Sequence, residues 1–523
     1  MAVSLLSASP EILRAIVLLA VDALGPPQEW YSLVLSCQAL RRQLDTPAMH
    51  TLLFANAFHV PADVLHLFPA HAKTEMRRRF LALKYFRRGR AQCFDDSGSF
   101  TDALWVAYVM LRAEEPRQMN VDQLLWAGLP GLLLLYIQQR LNDGAKDNHG
   151  WPLCNETNSL VITLMWLLSS EASVRAESTA TLSYVLAALA PFALAAFRYP
   201  LSNLPGDYFG LNSVDNTPSK IILHAPPPTR EVEYFGTRTV QVPSAPIYSI
   251  LCYFTRLDTL SPMFPVHLSS ATEAPSKIGP RREDVEHFIN ECRTRFEPWD
   301  FALKYPGSSI ADPLTRCLSP PYFPGFLTGS WQGSSIVPCV NEYRHWRTDP
   351  DAPETMEMFC RQPMYLTLQE YVCYRTKTGE EKPMRSENGC TKEDEAWLPS
   401  SWAEKDGGIE VSDESNNCNT FYSKVDNNNI AQLENVVDVL VMGQTDDPYA
   451  SAWGAFKVLG RVRLSDGLII LRRESVSGMG TTLLRGYMSS PRNFAGRYRA
   501  IHKGYAAAEW EAAFSLCKMD TKA

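Results

Sequence analysis

Gly460-Arg461-Val462-Arg463-Leu464-Ser465-Asp466-Gly467-Leu468-Ile469-Ile470-Leu471 reads as two strands joined by a tight turn. Apolar, β-branched residues flank Ser465-Asp466-Gly467, which supplies the turn chemistry. Working outward, the pattern predicts strands over 452–463, 467–474, 481–488 and 494–500, with Ser477-Gly478-Met479-Gly480 as a second turn. Upstream, 436–442 reads the same way. In Tyr365–Tyr374, Leu366, Leu368, Val372 and Tyr374 alternate against a face holding Thr367 and Gln369. Connections this short favour an antiparallel meander, because parallel strands need long crossovers. A closed barrel, or a sheet curved strongly enough to approach one, is therefore expected over 321–510, since closure removes exposed strand edges. Glu393-Asp394-Glu395, Asp413-Glu414 and two asparagine clusters mark 376–430 as a long, mobile, acidic insertion.

The first half of the chain carries helical periodicity instead, so the expected class is α+β multidomain. Residues 1–45 form a compact helical unit. Ser9-Pro10-Glu11 combines a hydroxyl cap, proline at the first helical position and an acid beside the positive end of the helix. Ile12, Leu13, Ile16, Leu19 and Ala20 follow at helical spacing, and Gly25-Pro26-Pro27 ends the helix. A second helix places Trp30, Leu33, Val34, Cys37 and Leu40 on one stripe. Residues 46–200 read as an irregular helical stack, with apolar runs at 102–113, 121–127, 131–141, 158–170 and 178–197 and no repeat of fixed length. Within it, Arg77-Arg78-Arg79, Lys84, Arg87, Arg88 and Arg90 are interleaved with Phe80, Leu81, Leu83, Tyr85 and Phe86. That block fits a helix whose aromatic side packs while its arginines stay in water. Residues 201–320 read as a proline-rich connector with short helices, including a helix over 281–296 that carries Val285, Phe288, Ile289 and Cys292.

Bulk properties narrow the partners. A chain of 523 residues exceeds one hydrophobic core, and its 46% hydrophobic and 20% charged residues are ordinary globular composition. A formal net charge of -7 argues against general affinity for nucleic acid or for anionic membranes. The twelve cysteines are scattered singly without a C-x-x-C, which fits reduced thiols in the cytoplasm or nucleus. The start of the chain lacks the charged opening and cleavage site of a secretory signal. Ser178–Phe197 is uncharged, but Thr179, Thr181, Ser183 and Tyr184 dilute it and Pro191 interrupts it, so a buried helix pair is expected there rather than a membrane span.

Catalytic templates are missing. There is no phosphate-binding P-loop, no H-E-x-x-H and no G-x-S-x-G. Gly329-Ser330-Trp331-Gln332-Gly333 has the glycine spacing of a nucleophile elbow with tryptophan at the nucleophile position. The ten histidines are dispersed, and His345 beside Glu342 reads as a surface pair. No enzyme activity, metal site or cofactor is expected.

Pro10-Glu11-Ile12-Leu13 with Ile16, followed by Ser32-Leu33-Val34-Leu35-Ser36-Cys37 and Leu40, resembles the F-box motif. Glu11 follows Pro10 directly and no leucine sits immediately before the proline, both departures from its usual form. Further blocks extend the likeness to the large F-box proteins of basidiomycete-type fungi. They include Arg282–Phe288, Cys292–Phe296 with Trp299-Asp300, Phe326–Gly333, Gly443-Gln444-Thr445, Ala452-Trp453-Gly454, Leu484–Tyr487 and Asn493–Arg499. The resemblance implies a substrate-receptor subunit that binds a Skp-type adaptor, and through it a cullin scaffold, while capturing an unknown protein target. Leu6, Pro10, Ile12, Leu13, Ile16, Leu33, Val34, Leu35 and Leu40 are then the candidate adaptor-binding residues. A unit of about 40 residues buries too little surface to be very stable alone, which fits a surface shared with a partner.

Aromatics and arginines share the C-terminal strands. Trp331, Trp453, Arg461, Arg463, Arg485, Tyr487, Arg497 and Tyr498 are the candidate ligand- or target-binding set, lining a barrel mouth. The plainer reading fills the barrel with the aromatics and leaves the arginines in water. The alternative function is a small-ligand-binding or hydrolytic β-barrel carrying a vestigial F-box.

Overall fold

The computed structural model describes residues 8–59, 69–89, 91–112, 118–201, 228–260, 280–296, 322–356, 358–374, 398–399, 401–413, 418–426, 436–464, 466–478, 480–501 and 510–519. It is α+β, with helices gathered in the first half and a closed eight-strand antiparallel barrel at the C-terminal end.

Three short helices open the chain: α1 (Pro10–Ala20), α2 (Gln28–Ser36) and α3 (Gln38–Leu44). The expected second helix is thus two, because Cys37 adopts an extended conformation (φ -158°, ψ 159°) and breaks the stripe. Then come α4 (Pro47–Ala57), α5 (Ala72–Arg88), α6 (Ser97–Arg112), α7 (Gln118–Trp126), α8 (Leu129–Gln139), α9 (Glu156–Leu168), α10 (Glu171–Arg175) and α11 (Thr179–Leu194). Helix α11 runs through Pro191 as one helix rather than the expected pair. Among the described residues no single helix is long and apolar enough to cross a membrane. On α5, Arg77, Lys84, Arg87 and Arg88 are exposed, as their spacing predicts, but Arg79 is fully buried. Its Nε donates to Glu75 at 3.0 Å, and its guanidinium lies 4.8 Å and 5.1 Å from the ring centroids of Phe54 and Phe58.

The region expected to be a loose connector contains the most enclosed helix. After a hairpin of β1 (Thr229–Glu233) and β2 (Thr237–Gln241), all thirteen residues of α12 (Ala245–Leu257) are buried. Pro246 starts this helix, and even its polar members Ser249, Thr255 and Arg256 are enclosed, Arg256 donating to Glu177 at 3.0 Å. Helices α9 and α11 pack on one side of it and three barrel strands on the other. Helix α13 (Arg282–Glu291) is shorter than predicted, and 292–296 runs on without helix.

The barrel strands are β3 (Gly329–Pro338), β4 (Met358–Tyr374), β8 (Val436–Gln444), β9 (Phe456–Arg463), β10 (Leu468–Ser475), β11 (Thr481–Ser490), β12 (Asn493–Ile501) and β13 (Ala512–Lys518). Each pairs with its sequence neighbour in the set, and β13 returns to β3 to close the ring. Closure therefore uses a last strand beyond the expected 510 boundary. It also uses β3, whose Gly-Ser-Trp-Gln-Gly run belongs to a strand. Helix α14 (Val340–Thr348) follows β3, and the predicted strand start at 452 is instead helix α15 (Tyr449–Trp453). Strand β4 spans 17 residues: its first part pairs with β3 and its last part with β8, so it carries the ring across the seam.

The segment read as a mobile acidic insertion holds three described strands, β5 (Ser401–Lys405), β6 (Gly408–Asp413) and β7 (Cys418–Lys424), which extend the sheet from the end of β4. Ile409, Val411 and Tyr422 alternate toward Leu440 and Cys373, so this arm has a buried face that its surface charge obscured. The cluster Glu393-Asp394-Glu395 lies outside the described residues.

Side chains fill the barrel. Trp331, Leu366, Leu368, Val441, Val462, Leu471, Leu484, Phe494 and Phe514 form one buried cluster. Small barrels bend their strands sharply, and here β11 and β12 meet at the register pair Gly486–Gly496. A Cβ on Gly496 would lie 2.1 Å from the Arg485 carbonyl oxygen, so the close approach requires glycine. A second core runs continuously from Leu13 through α12 to Ile336, Ala495 and Ala513 on the outer wall of the barrel.

Candidate adaptor-docking surface

The first helix is built by its own sequence. Ser9 caps it, its Oγ accepting from the Ile12 amide at 3.4 Å, and Pro10 fills the first turn. The Glu11 carboxyl is held below the usual range by a bond within its own backbone and by Ser9, both of which favour its charged form. Leu13 and Val17 point inward at 1% exposure each. Ile12, Ile16 and Leu19 sit one residue round the helix and are 56%, 39% and 88% exposed. Positions 12, 16 and 19 share one helical face.

Helix α2 repeats the division. Trp30 and Val34 are buried, Leu33 is half-buried, and Tyr31 and Leu35 face water, Leu35 at 78%. Trp30 Nε1 donates to the Leu44 carbonyl at 3.3 Å, which ties α2 to the end of α3. Leu40 and Leu44 complete the inner side. Of the nine sequence-nominated residues, Leu13, Val34 and Leu40 are thus core, and Pro10, Ile12, Ile16 and Leu35 are exposed. Leu33 lies between the two groups, and Leu6 falls outside the described residues.

These three helices are tied to the helical body. The amide of Gly25 donates to Gln123 Oε1 at 2.9 Å, and Gln123 Nε2 donates to the carbonyls of Ala23 and Ala57. A buried glutamine on α7 therefore fixes the turn between α1 and α2. Asp45 accepts from Lys73 and bonds His50, both at 2.7 Å, and Lys73 holds its carboxyl below the usual range. Burial pushes the His50 imidazole below its ordinary value, against the pull of Asp45, and its Nδ1 is enclosed without a hydrogen bond.

The second nominated set does not converge. Trp331 lies inside the barrel, where Nε1 donates to the Leu327 carbonyl at 2.7 Å and Lys518 sits 5.7 Å over the ring. Tyr498 is also internal and accepts from Ser335 at 3.4 Å. The arginines lie on the outer wall rather than lining a mouth; Arg461, Arg463 and Arg497 are buried and Arg485 is half-buried, and each has a bonding partner. Arg461 donates to Asp438 at 2.7 Å, an acid that also accepts from Tyr422. Arg463 grips Asp466 with two bonds of 2.7 Å and 2.6 Å, and Tyr487 donates to the same carboxylate. Arg485 pairs with Glu511. Arg497 caps backbone carbonyls of Phe192 and Tyr199, joining the barrel to α11. Trp453, on α15, packs beside Phe288 of α13.

One group escaped the pattern reading. Glu370 interrupts the inward row Leu366, Leu368, Val372 and is fully buried. It accepts from Tyr322, from the amides of Gly325 and Thr328 and from the Thr328 hydroxyl, which closes one end of the barrel. Burial raises its carboxyl above the usual range despite these donors. An acid in an apolar alternation was the signal available. Among the described residues no cluster of His, Cys, Asp or Glu is arranged to hold a metal. No family model, curated relative or solved structure matches the chain.

Proposed function

We propose that this chain is a non-enzymatic substrate receptor of a cullin-type ubiquitin ligase, acting in the cytoplasm or nucleus. Its N-terminal helices grip a Skp-type adaptor, and its C-terminal half captures a protein target. One observation carries the reading: Ile12, Ile16 and Leu19 on α1 and Leu35 on α2 lie in water, while Leu13, Val17 and Val34 beside them form the unit's own core. Exposed apolar side chains in rows mark a surface made for a partner. Ile12, Ile16 and Leu35 are among the residues that carry the F-box likeness, Leu19 extends their row on α1, and the helical body ties the unit to the barrel. The mechanism is proximity: the receptor raises the effective concentration of its cargo near chemistry performed by other subunits.

The test is affinity purification of the full chain against the variant Ile16→Asp/Leu35→Asp. Adaptor and cullin are expected with the parent and absent with the variant. A parent chain that is folded and recovers neither subunit refutes the reading. Leu13→Asp is unsuited to the purpose, because a buried carboxylate would unfold the unit instead of unmasking its surface.

A further inference from the structure

Glu370 and the turn that binds it close one end of the barrel. Strands alternate in direction round the ring, so at the opposite end β3, β10 and β12 finish while β4, β9, β11 and β13 begin. Arg473 belongs to that end. Residues two apart on a strand share a face, and Ile469 and Leu471 lie in the barrel core, so Arg473 is the next inward residue of β10. Its guanidinium lies 3.3 Å from the centroid of the Phe456 ring on β9. Tyr498 of β12 faces the same end, where it packs edge-on to Trp510 at 5.8 Å and accepts from Ser335 of β3 at 3.4 Å. Gln362 of β4 is exposed here, and Arg473, Phe456 and Trp510 are half-buried, so water reaches this end.

Charge sets Arg473 apart from its neighbours. Arg461, Arg463 and Arg485 each hold a carboxylate, and Arg497 holds two carbonyls. Arg473 has no such partner: its Nε is enclosed without a hydrogen bond, and among the described residues no carboxylate pairs with it. Glu474 lies on the opposite face of β10, beside Arg472. Burial pulls the Arg473 guanidinium down to about 10, opposed by the Tyr498 phenol, which burial itself pushes up and keeps neutral. An enclosed cation is costly unless an anion meets it.

We propose that this end of the barrel binds a small monocarboxylate with an apolar or aromatic tail, its head on Arg473 and its tail against Phe456 and Trp510. A guanidinium fork donates to both oxygens of a carboxylate at once. Among the described residues Arg473 is the one cation on the inward face here, so it matches a single negative charge rather than a dianionic phosphate. Aromatic walls with one placed polar group are the usual make-up of a small-molecule site. The site is independent of the adaptor reading.

The probe is 3-phenylpropanoate, titrated onto the full chain and followed by ligand-observed nuclear magnetic resonance, with 3-phenylpropanamide as its uncharged counterpart. Saturable binding is expected with a Kd of about 1 mM or below, and about tenfold or more weaker binding for the amide. Arg473→Met should weaken the acid about tenfold or more while leaving Tm at or above that of the parent, because it removes an unpaired charge and keeps the packing. Thr482→Glu sets a carboxylate at the register partner of Arg473, should abolish probe binding, and decides the matter if Arg473→Met misfolds. Three results overturn the proposal: no saturable binding up to about 10 mM, an amide that binds as tightly as the acid, or affinity unchanged in every folded variant.

Discussion

Replacing Ile12 and Ile16 together by alanine separates a docking surface from a core. Their exposures, 56% and 39%, add up to about one whole isoleucine side chain in water. Fully burying such a side chain contributes about 1.5–3 kcal/mol. Alanine keeps the first side-chain carbon, so the pair should lose about 1–2 kcal/mol of adaptor binding, roughly a 5- to 30-fold rise in Kd. Stability should fall by only about 1 kcal/mol, since the buried parts of the two side chains also add up to about one isoleucine and alanine's helix preference offsets some of that loss. Leu13→Ala, at a position 1% exposed, should instead cost about 2–5 kcal/mol of stability. Calorimetric titration of the full chain with a purified Skp-type adaptor gives the first quantity, and denaturant unfolding followed by circular dichroism gives the second. Adaptor affinity within twofold of the parent refutes the assignment of this face. A stability loss above about 2 kcal/mol in the double alanine variant shows that these side chains belong to the chain's own core.

Acid should loosen the N-terminal unit. Burial lowers the folded-state value of His50, so the unfolded chain binds the extra proton first and stability falls as pH drops below about 6.5. Melting between pH 7.5 and 5.5 should show this slope, and His50→Gln should flatten it. Glu370 acts in the opposite sense: its raised carboxyl gives up stability as pH climbs from about 4.5 toward its folded value, a trend that Glu370→Gln should remove from the unfolding curves. Gly496→Ala should destabilise the barrel by more than about 2 kcal/mol in urea unfolding, because its Cβ has no room beside the Arg485 carbonyl. Arg461→Ala should cost about 3–5 kcal/mol by leaving Asp438 buried without its cation. Arg461→Met/Asp438→Leu should recover most of that loss, and a double variant worse than the single one counts against the pairing.

Short-range physics was legible in the residues. Ser9-Pro10-Glu11 announced α1, and alternation announced the strands around Asp466-Gly467 and over Tyr365–Tyr374. The sequential turns announced an antiparallel sheet that closes. Local signals failed where burial came from distant partners. Helix α12 sat in proline-rich surroundings and carries Ser249, Thr255 and Arg256, and its full enclosure came from α9, α11 and the barrel, all distant in sequence or added by the fold. Strands β5 to β7 hid behind acidic composition because only one of their faces meets the barrel.

By itself the sequence determined the α+β class, the cap and face of α1 and the alternation of the meander, since each depends on residues a few positions apart. Only the tertiary structure decided which apolar side chains stay in water and that the nominated C-terminal arginines are paired on the outer wall. It also brought Ser335 and Tyr498 to the barrel end that holds Arg473, the first across more than a hundred residues of chain. Exposure and charge pairing depend on what packs against a residue from elsewhere, and loop closure over such distances leaves no local period to read.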